Sequence, residues 1–256
     1  MVKYIFCINT GRSGSHYLAT ILNNCNNIKS YHEPAPIMNG EVMIEYLKGN
    51  KKPIRPLLDK KIEFIKKTIN KDDVYIETNH TFIKGFGWEI VNKLPKSQLA
   101  VIWLKRDLKD IVESFYRIDN TPLNHNGLIW MFNPLMKHPE TKISLKFKLR
   151  YKILFFLNRF LKSKYNKSFF KFKKPFFFVA QEKKYLKWYV QETDLQAERF
   201  KEKFPDIKFF ELNTRQLNKP EVYKAMFDFF EIDFSPKDSF YSNIGKLTNQ
   251  KNSSKK

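Results

Sequence analysis

The sequence predicts an α/β protein: three layers, α/β/α, on a central parallel sheet, with a helical insertion. Three observations lead there. Short apolar runs alternate with segments of helical period over most of the chain, the pattern of strands joined by crossover helices. The first run, beginning at Tyr4, ends in a turn with two glycines and passes straight into a helix. A later run, Gln98 to Leu104, ends in charged residues and does the same. At 256 residues the chain can bury a good core as one domain, and residues 1–256 are read as a single domain.

The elements follow in order. The opening strand starts at Tyr4, and the helix beyond its turn reaches Leu22. Ile28 to Glu33 is a short strand closed by Pro34 and Pro36. Helices are expected over Glu41 to Lys51 and Leu57 to Asn70, the second with Leu58, Ile62, Ile65 and Ile69 on one face. Asp73 to Thr78 is a third strand, and Lys84 to Leu94 a helix stopped by Pro95. The strand Gln98 to Leu104 leads to a helix from about Asp107 to Arg117, with Ile111, Val112 and Phe115 on its apolar face.

Residues 118–180 change character and form the insertion, rich in Phe, Tyr and Lys. Leu145, Leu149, Ile153, Phe156 and Phe160 recur at helical spacing, and such a stripe is expected to be core. The other readings are a lid over an acceptor or a membrane-contacting amphipathic helix. Lys and Phe interleave from Lys167 to Phe178, a pattern that also suits base stacking. From Glu182 a long helix carries Leu186, Val190, Thr193, Ala197, Phe200 and Phe204 on one face and ends at Pro205. Ile207 to Leu212 is the last strand; Pro220 starts a helix reaching Glu231. Residues 243–256 are expected to form a flexible tail.

Two places carry chemistry. In the turn after the first strand, Gly11 and Gly14 permit close approach of a ligand to the backbone. The N–H groups of Ser13 to Ser15 and the helix dipole favour an anion there, and Arg12 adds a fork of donors. A Walker A loop would end in Gly-Lys-[Ser/Thr]; here Ser15 and His16 follow Gly14, so the grip on a metal-bound triphosphate is missing. In the second place, Arg106 follows the strand Gln98 to Leu104, where ligands meet the edge of an open parallel sheet. Ser114 lies about two turns into the next helix, where its hydroxyl can share the anion.

These two segments resemble the sulfotransferases that use 3′-phosphoadenosine 5′-phosphosulfate (PAPS). TGRSGSHYL at Thr10 to Leu18 is similar to that family's 5′-phosphosulfate loop, and LKRDLKDIVESFYR at Leu104 to Arg117 to its 3′-phosphate motif. The resemblance implies a P-loop-NTPase-like sheet. It also implies transfer of a sulfuryl group from PAPS to a hydroxyl or amine, with no metal required. Gly11, Arg12, Ser13, Gly14, Ser15 and His16 would hold the 5′ side of the donor, and Arg106 and Ser114 the 3′-phosphate. ELNTRQL resembles a late strand end of the family, and NIGKLTNQK its C-terminal loop, which makes Lys246 a further 3′-phosphate candidate. Residues 118–180 resemble nothing in the family.

Sulfuryl transfer needs a held leaving group, stabilised charge on its bridging oxygen, and a base for the acceptor. Arg12 and the loop N–H groups suit the first two. For the base, Glu33 in SYHEP resembles the catalytic glutamate of tyrosylprotein and some bacterial carbohydrate sulfotransferases. His80 in ETNHTF resembles the histidine of the cytosolic branch, without its KTHLP context. The Arg-Ser-Gly loop favours Glu33, and both stay candidates. Neither the histidines nor Cys7 and Cys25 have metal-ligand spacing.

The net charge of +21 suits an anionic donor and an acidic glycan or membrane-borne lipid as acceptor, with peripheral membrane contact. No specific nucleic-acid partner is expected. The lysines are spread along the chain amid many Asn, Ile and Phe, which biased codon composition also produces, so charge alone selects no partner. Two cysteines make no disulfide framework, the first residues already read as core strand, and no apolar run approaches about 18 residues. A cytoplasmic protein is the expectation. Two competing functions remain: a P-loop small-molecule kinase, against which the missing lysine speaks, and a basic nucleic-acid-binding protein, which explains neither the loop nor Arg106 with Ser114.

Overall fold

The structure is a computed structural model that describes residues 1–138, 141–164 and 176–246. Most of the Lys–Phe run and of the C-terminal tail therefore lies outside the described residues. The chain forms two compact units. One comprises Met1–Ile37, Arg55–Arg106 and Ala197–Lys256, the other Met38–Ile54 and Asp107–Gln196.

The first unit is built on five parallel strands: β1 (Tyr4–Ile8), β2 (Ile28–His32), β3 (Val74–Thr78), β4 (Leu99–Lys105) and β5 (Lys208–Asn213). Their order is β2-β3-β1-β4-β5, with β1 central and fully buried. Tyr4 pairs with Tyr75 on one side and Leu99 on the other, and His32 with Thr78. Since every pairing is parallel, all five C-terminal ends fall on one edge, where such sheets bind ligands.

Strand alternation sends side chains to both faces. On one face Ile5, Cys7, Ile76 and Ile102 pack with Leu18 and Ile21 of α1 (Ser15–Leu22) and with Met226, Phe227 and Phe230 of α9 (Pro220–Phe230). On the other, Phe6 stacks on Phe82 with ring centroids 4.8 Å apart, and Tyr75 meets Phe64 of α3 (Ile54–Thr68). Phe200, near the end of α8 (Phe176–Lys203), closes that face against Phe82 and Phe209. Helices on both faces of one sheet give the three layers. Cys7 and Cys25 are buried free thiols.

Two helices differ from expectation. The buried face of α3 runs Ile54, Leu58, Lys61, Ile65, so a lysine takes the position read for Ile62. The segment read as a helix over Lys84 to Leu94 is a 3-10 turn at Phe82–Lys84 followed by the short helix α4 (Phe86–Ile90). The break falls at Gly85, whose φ of 178° and ψ of −70° are not helical.

The second unit holds α2 (Gly40–Lys48), α5 (Leu108–Arg117), α6 (His125–Trp130), α7 (Leu145–Lys164) and α8 as far as Gln196. Asp107 caps α5, accepting from Lys109 N at 2.9 Å, and Asn124 caps α6. Ile111, Val112 and Phe115 pack with Leu186, Tyr189 and Val190, as their spacing predicts. A second cluster joins Tyr151 and Leu154 of α7 to Leu123, Phe178 and Tyr185, with the Tyr151 hydroxyl donating to Pro122 O at 2.6 Å.

The stripe expected to be core is not core. Leu145 is 82% exposed, Leu149 56%, Ile153 51%, Phe156 74% and Phe160 58%. The helix is apolar on two sides, and its other side, carrying Phe147, Tyr151 and Leu154, is the one packed inward. Periodicity alone could not choose between them. No described helix is long and apolar enough to cross a membrane.

Candidate active site

The loop after β1 has the backbone an anion cradle needs. Gly11, Arg12 and Gly14 have φ of 78°, 57° and 88°, left-handed values that glycine adopts without strain and arginine only where its surroundings hold it. Asn9 fixes the turn by accepting from Gly11 N at 2.9 Å. Gly14 caps α1 without a side-chain hydrogen bond, and the first turn of α1 carries no acid. Its N–H groups and dipole therefore face no competing negative charge of its own. Ser13 Oγ and His16 Nδ1 are buried with no hydrogen-bond partner among the described residues. This donor set fits a phosphate- or sulfate-type anion.

Arg106, at the end of β4, donates from Nη1 to the Arg12 carbonyl at 2.7 Å. The two segments singled out by sequence, 94 residues apart, thus meet at one sheet edge. A third strand end joins them. Thr214 Oγ1, just past β5, lies 2.6 Å from Ser13 O and 3.0 Å from Lys105 O, one hydroxyl hydrogen shared between two carbonyls. The loop is also wedged from behind, because a Cβ on Gly14 would sit 3.0 Å from Leu217 Cδ1. Sequence reasoning did not single out Thr214; its signal was a hydroxyl residue directly after the last strand.

Ser114 lies on α5, in the second unit. Lys246 is exposed beside Gly245, whose N–H donates to the Tyr17 hydroxyl of α1 at 2.6 Å. The end of the described chain is thereby tied to the helix that follows the loop.

Glu33 and His80 end neighbouring strands, and the structure brings them into contact. The register pairs His32 with Thr78, so the residues just beyond each strand lie close. His80 Nδ1 hydrogen-bonds Glu33 Oε1 directly. Glu33 itself has φ 49°, and its N–H donates to Thr78 O at 3.1 Å. His32 Nε2 stands 3.8 Å from the same carboxylate oxygen, while its Nδ1 is 2.9 Å from Thr78 Oγ1. The His16 ring meets the His32 ring edge-on at 5.1 Å, which links the base candidates to the loop helix.

Burial pushes the Glu33 carboxyl up, but the His80 hydrogen bond and the nearby His80, His32 and Lys84 charges outweigh it, so its pKa falls below the ordinary range. His80 is also lowered, first by burial and then by Lys84, against the pull of Glu33. At neutral pH the pair is a carboxylate beside a neutral imidazole. Lys84, on the 3-10 turn after β3, is fully buried, and burial holds its ammonium well below the usual lysine range despite Glu33.

A buried ion pair supports both base candidates. Lys61 of α3 lies 3.1 Å from each Glu77 carboxylate oxygen and donates to Pro34 O at 2.7 Å, one residue past Glu33. Glu77 also accepts from Tyr75 OH at 2.6 Å and from Asn79 Nδ2 at 2.9 Å. Asn79 Oδ1 in turn accepts from Thr81 N and Thr81 Oγ1, both at 2.8 Å, and so fixes the turn that carries His80. This network escaped sequence reasoning. Its signal was Glu77, an acid inside an otherwise buried strand, which demands a partner. Among the described residues no group of three His, Cys, Asp or Glu side chains comes together as a metal site.

No protein-family model and no curated protein sequence matches the chain. Solved structures do. The sulfotransferase domain from the curacin biosynthetic pathway superposes with a TM-score of 0.52 at 14% identity, over 92% of this chain and 76% of that one. The sulfotransferase domain of the Synechococcus PCC 7002 olefin synthase gives 0.48 at 12% identity, over 96% and 78%. A sulfotransferase from Alicyclobacillus acidocaldarius gives 0.46 at 11%, over 93% and 85%. The first of these likenesses shows the fold: the chain has the three-layer α/β/α fold of a sulfotransferase domain.

Proposed function

We propose that the protein is a sulfotransferase that takes a sulfuryl group from PAPS to a hydroxyl or amine. The observation that carries this reading is the Arg106–Arg12 hydrogen bond. It joins an anion loop without a Walker lysine to a second cationic strand end, with the Glu33–His80 pair on the same sheet edge. A triphosphate site with Walker chemistry lacks its lysine here, and a nucleic-acid surface gives no reason for the Glu33–His80 pair.

The donor supplies an activated sulfuryl group and departs as adenosine 3′,5′-bisphosphate. Arg12, Ser13 and the N–H groups of Gly14 and Ser15 hold its 5′ end and meet the charge that grows on the bridging oxygen. Arg106, Ser114 and Lys246 are assigned to the 3′-phosphate. Glu33 takes the acceptor proton. It is the more open member of the pair, with a side chain 26% exposed against 14% for His80, whose Nε2 is buried. A carboxylate of lowered pKa suffices, because the acceptor oxygen becomes strongly acidic as its bond to sulfur forms. His80 orients the carboxylate through Nδ1–H. The acceptor is read as an acidic glycan or a membrane-borne lipid, either of which the net charge of +21 suits without choosing between them.

The test is transfer of labelled sulfate from PAPS to a panel of glycans, glycolipids and amines. Transfer that needs Arg12 and proceeds in the presence of a metal chelator supports the reading. ATP turnover that needs Mg²⁺, with no sulfate transfer, overturns it.

A further inference from the structure

We infer that α7 is a docking helix that lays its outer face on an anionic lipid bilayer. Leu145, Leu149, Ile153, Phe156 and Leu157 are spaced i, i+4, i+8, i+11 and i+12, one face of a helix with 3.6 residues per turn. Each is between 45% and 82% exposed, an unusual run of large apolar side chains in water. The opposite side of α7 is already spent on the core through Tyr151 and Leu154, so the exposed face is not a misplaced core face.

Charge selects the occupant. By the same 100° step, Lys148, Lys152 and Arg159 flank the apolar stripe on one side and Arg150 on the other, with Lys146 between the positions of Ile153 and Leu157 at the stripe's end. The helix has seven Lys and Arg and no Asp or Glu; from Thr141 to Gln181 the chain has twelve and none. An apolar stripe edged by long cationic side chains matches a bilayer surface. The stripe enters the acyl boundary while the stems reach up to anionic headgroups. A second copy of this chain would bring an equally cationic face and be repelled. Nucleic acid would meet a stripe made mostly of Leu and Ile, which do not stack on bases, with aromatic rings only toward its C-terminal part.

The full chain is tested by flotation with vesicles of phosphatidylcholine alone and with about one part in three phosphatidylserine. Partitioning is expected to be at least about tenfold higher on the anionic vesicles and to weaken with salt. Leu149→Gln/Ile153→Gln/Phe156→Gln keeps the charge and the circular dichroism but lowers partitioning by about 100-fold, because it removes the inserted groups. Lys148→Ala and Lys152→Ala each lower it about fivefold. As an independent reading, a polarity-sensitive dye on Ile153→Cys shifts to the blue with anionic vesicles; the native thiols are buried. The inference is overturned if the chain fails to float, if the triple variant floats as well as the parent, or if the dye does not shift. It is equally overturned if the triple variant instead dissociates a dimer, or if RNA is bound and vesicles are not. None of these readouts depends on sulfate transfer.

Discussion

The two units of this chain bury their apolar residues by different rules. In the sheet unit, β1, β3 and β4 are buried on both faces and all five strands end at one edge, so position along a strand separates core residues from edge residues. Arg12, Glu33, His80, Arg106 and Thr214 all lie just past a strand, at one edge. In the helical unit, α7 offers apolar residues on two sides and only packing decides which is buried. A parallel sheet therefore brings its strand ends together in a way the sequence shows, while a helix apolar on two sides hides its orientation.

Substitutions in the two units should differ in what they change. The largest effect belongs to the sheet edge. Glu33→Gln should lower single-turnover transfer by about 10²–10⁴ with little change in donor affinity, since a base acts only as the proton leaves. The pH profile separates the two base candidates. Glu33 sits below its ordinary 4.5, so an acid limb above that value excludes it as the base. Stability has the same sign for both. A depressed carboxylate contributes above its unfolded pKa and loses that contribution as pH falls through the folded one. A depressed histidine lets the unfolded chain take the proton first, so stability falls as pH drops below about 6.5.

Lys61→Met comes next. It leaves Glu77 as an unpaired buried charge and should cost about 3–5 kcal/mol in denaturant unfolding. The companion change Glu77→Gln on that background should recover part of the loss; no recovery would mean that Lys61 acts through Pro34 alone. Arg12→Ala should slow transfer by about 10²–10³ without altering circular dichroism. Near-parental turnover would remove Arg12 from the chemistry. The smallest effects belong to the helical unit and test the contrast itself. Tyr151→Phe, on the packed side of α7, should cost about 1 kcal/mol through Pro122 O. Leu149→Gln, on the open side, should leave the melting temperature unchanged. Equal losses at the two positions would show that both sides of α7 are core.

Much of the sheet unit was legible in the sequence. All five strands are found within two residues of their expected bounds, because buried parallel strands read as short apolar runs between breakers. The Gly11–Ser15 loop, Arg106, Glu33 and His80 were legible as candidates for the same reason: each follows a strand, and the strand ends converge. The Lys61–Glu77 pair was not, because a single lysine on a helix face does not announce that it is buried until the sheet beneath it supplies an acid. Thr214 was missed because a hydroxyl residue after a strand is a weak signal and its partners are backbone carbonyls. The short helix α6 and the orientation of α7 depend on contacts within the helical unit that periodicity does not encode.

The central claim is that the loop and Arg106 hold a 3′-phosphorylated adenine nucleotide. The direct measurement is thermal unfolding with adenosine 3′,5′-bisphosphate, with 5′-AMP and with Mg²⁺-ATP, on the parent chain and on Arg106→Ala and Ser114→Ala. The bisphosphate should stabilise the parent by about 2.7 kcal/mol at 100 times its dissociation constant, and 5′-AMP by clearly less at the same concentration. The substitutions should narrow that gap. Stabilisation by Mg²⁺-ATP with none from the bisphosphate, or a gap that both substitutions leave intact, would contradict it.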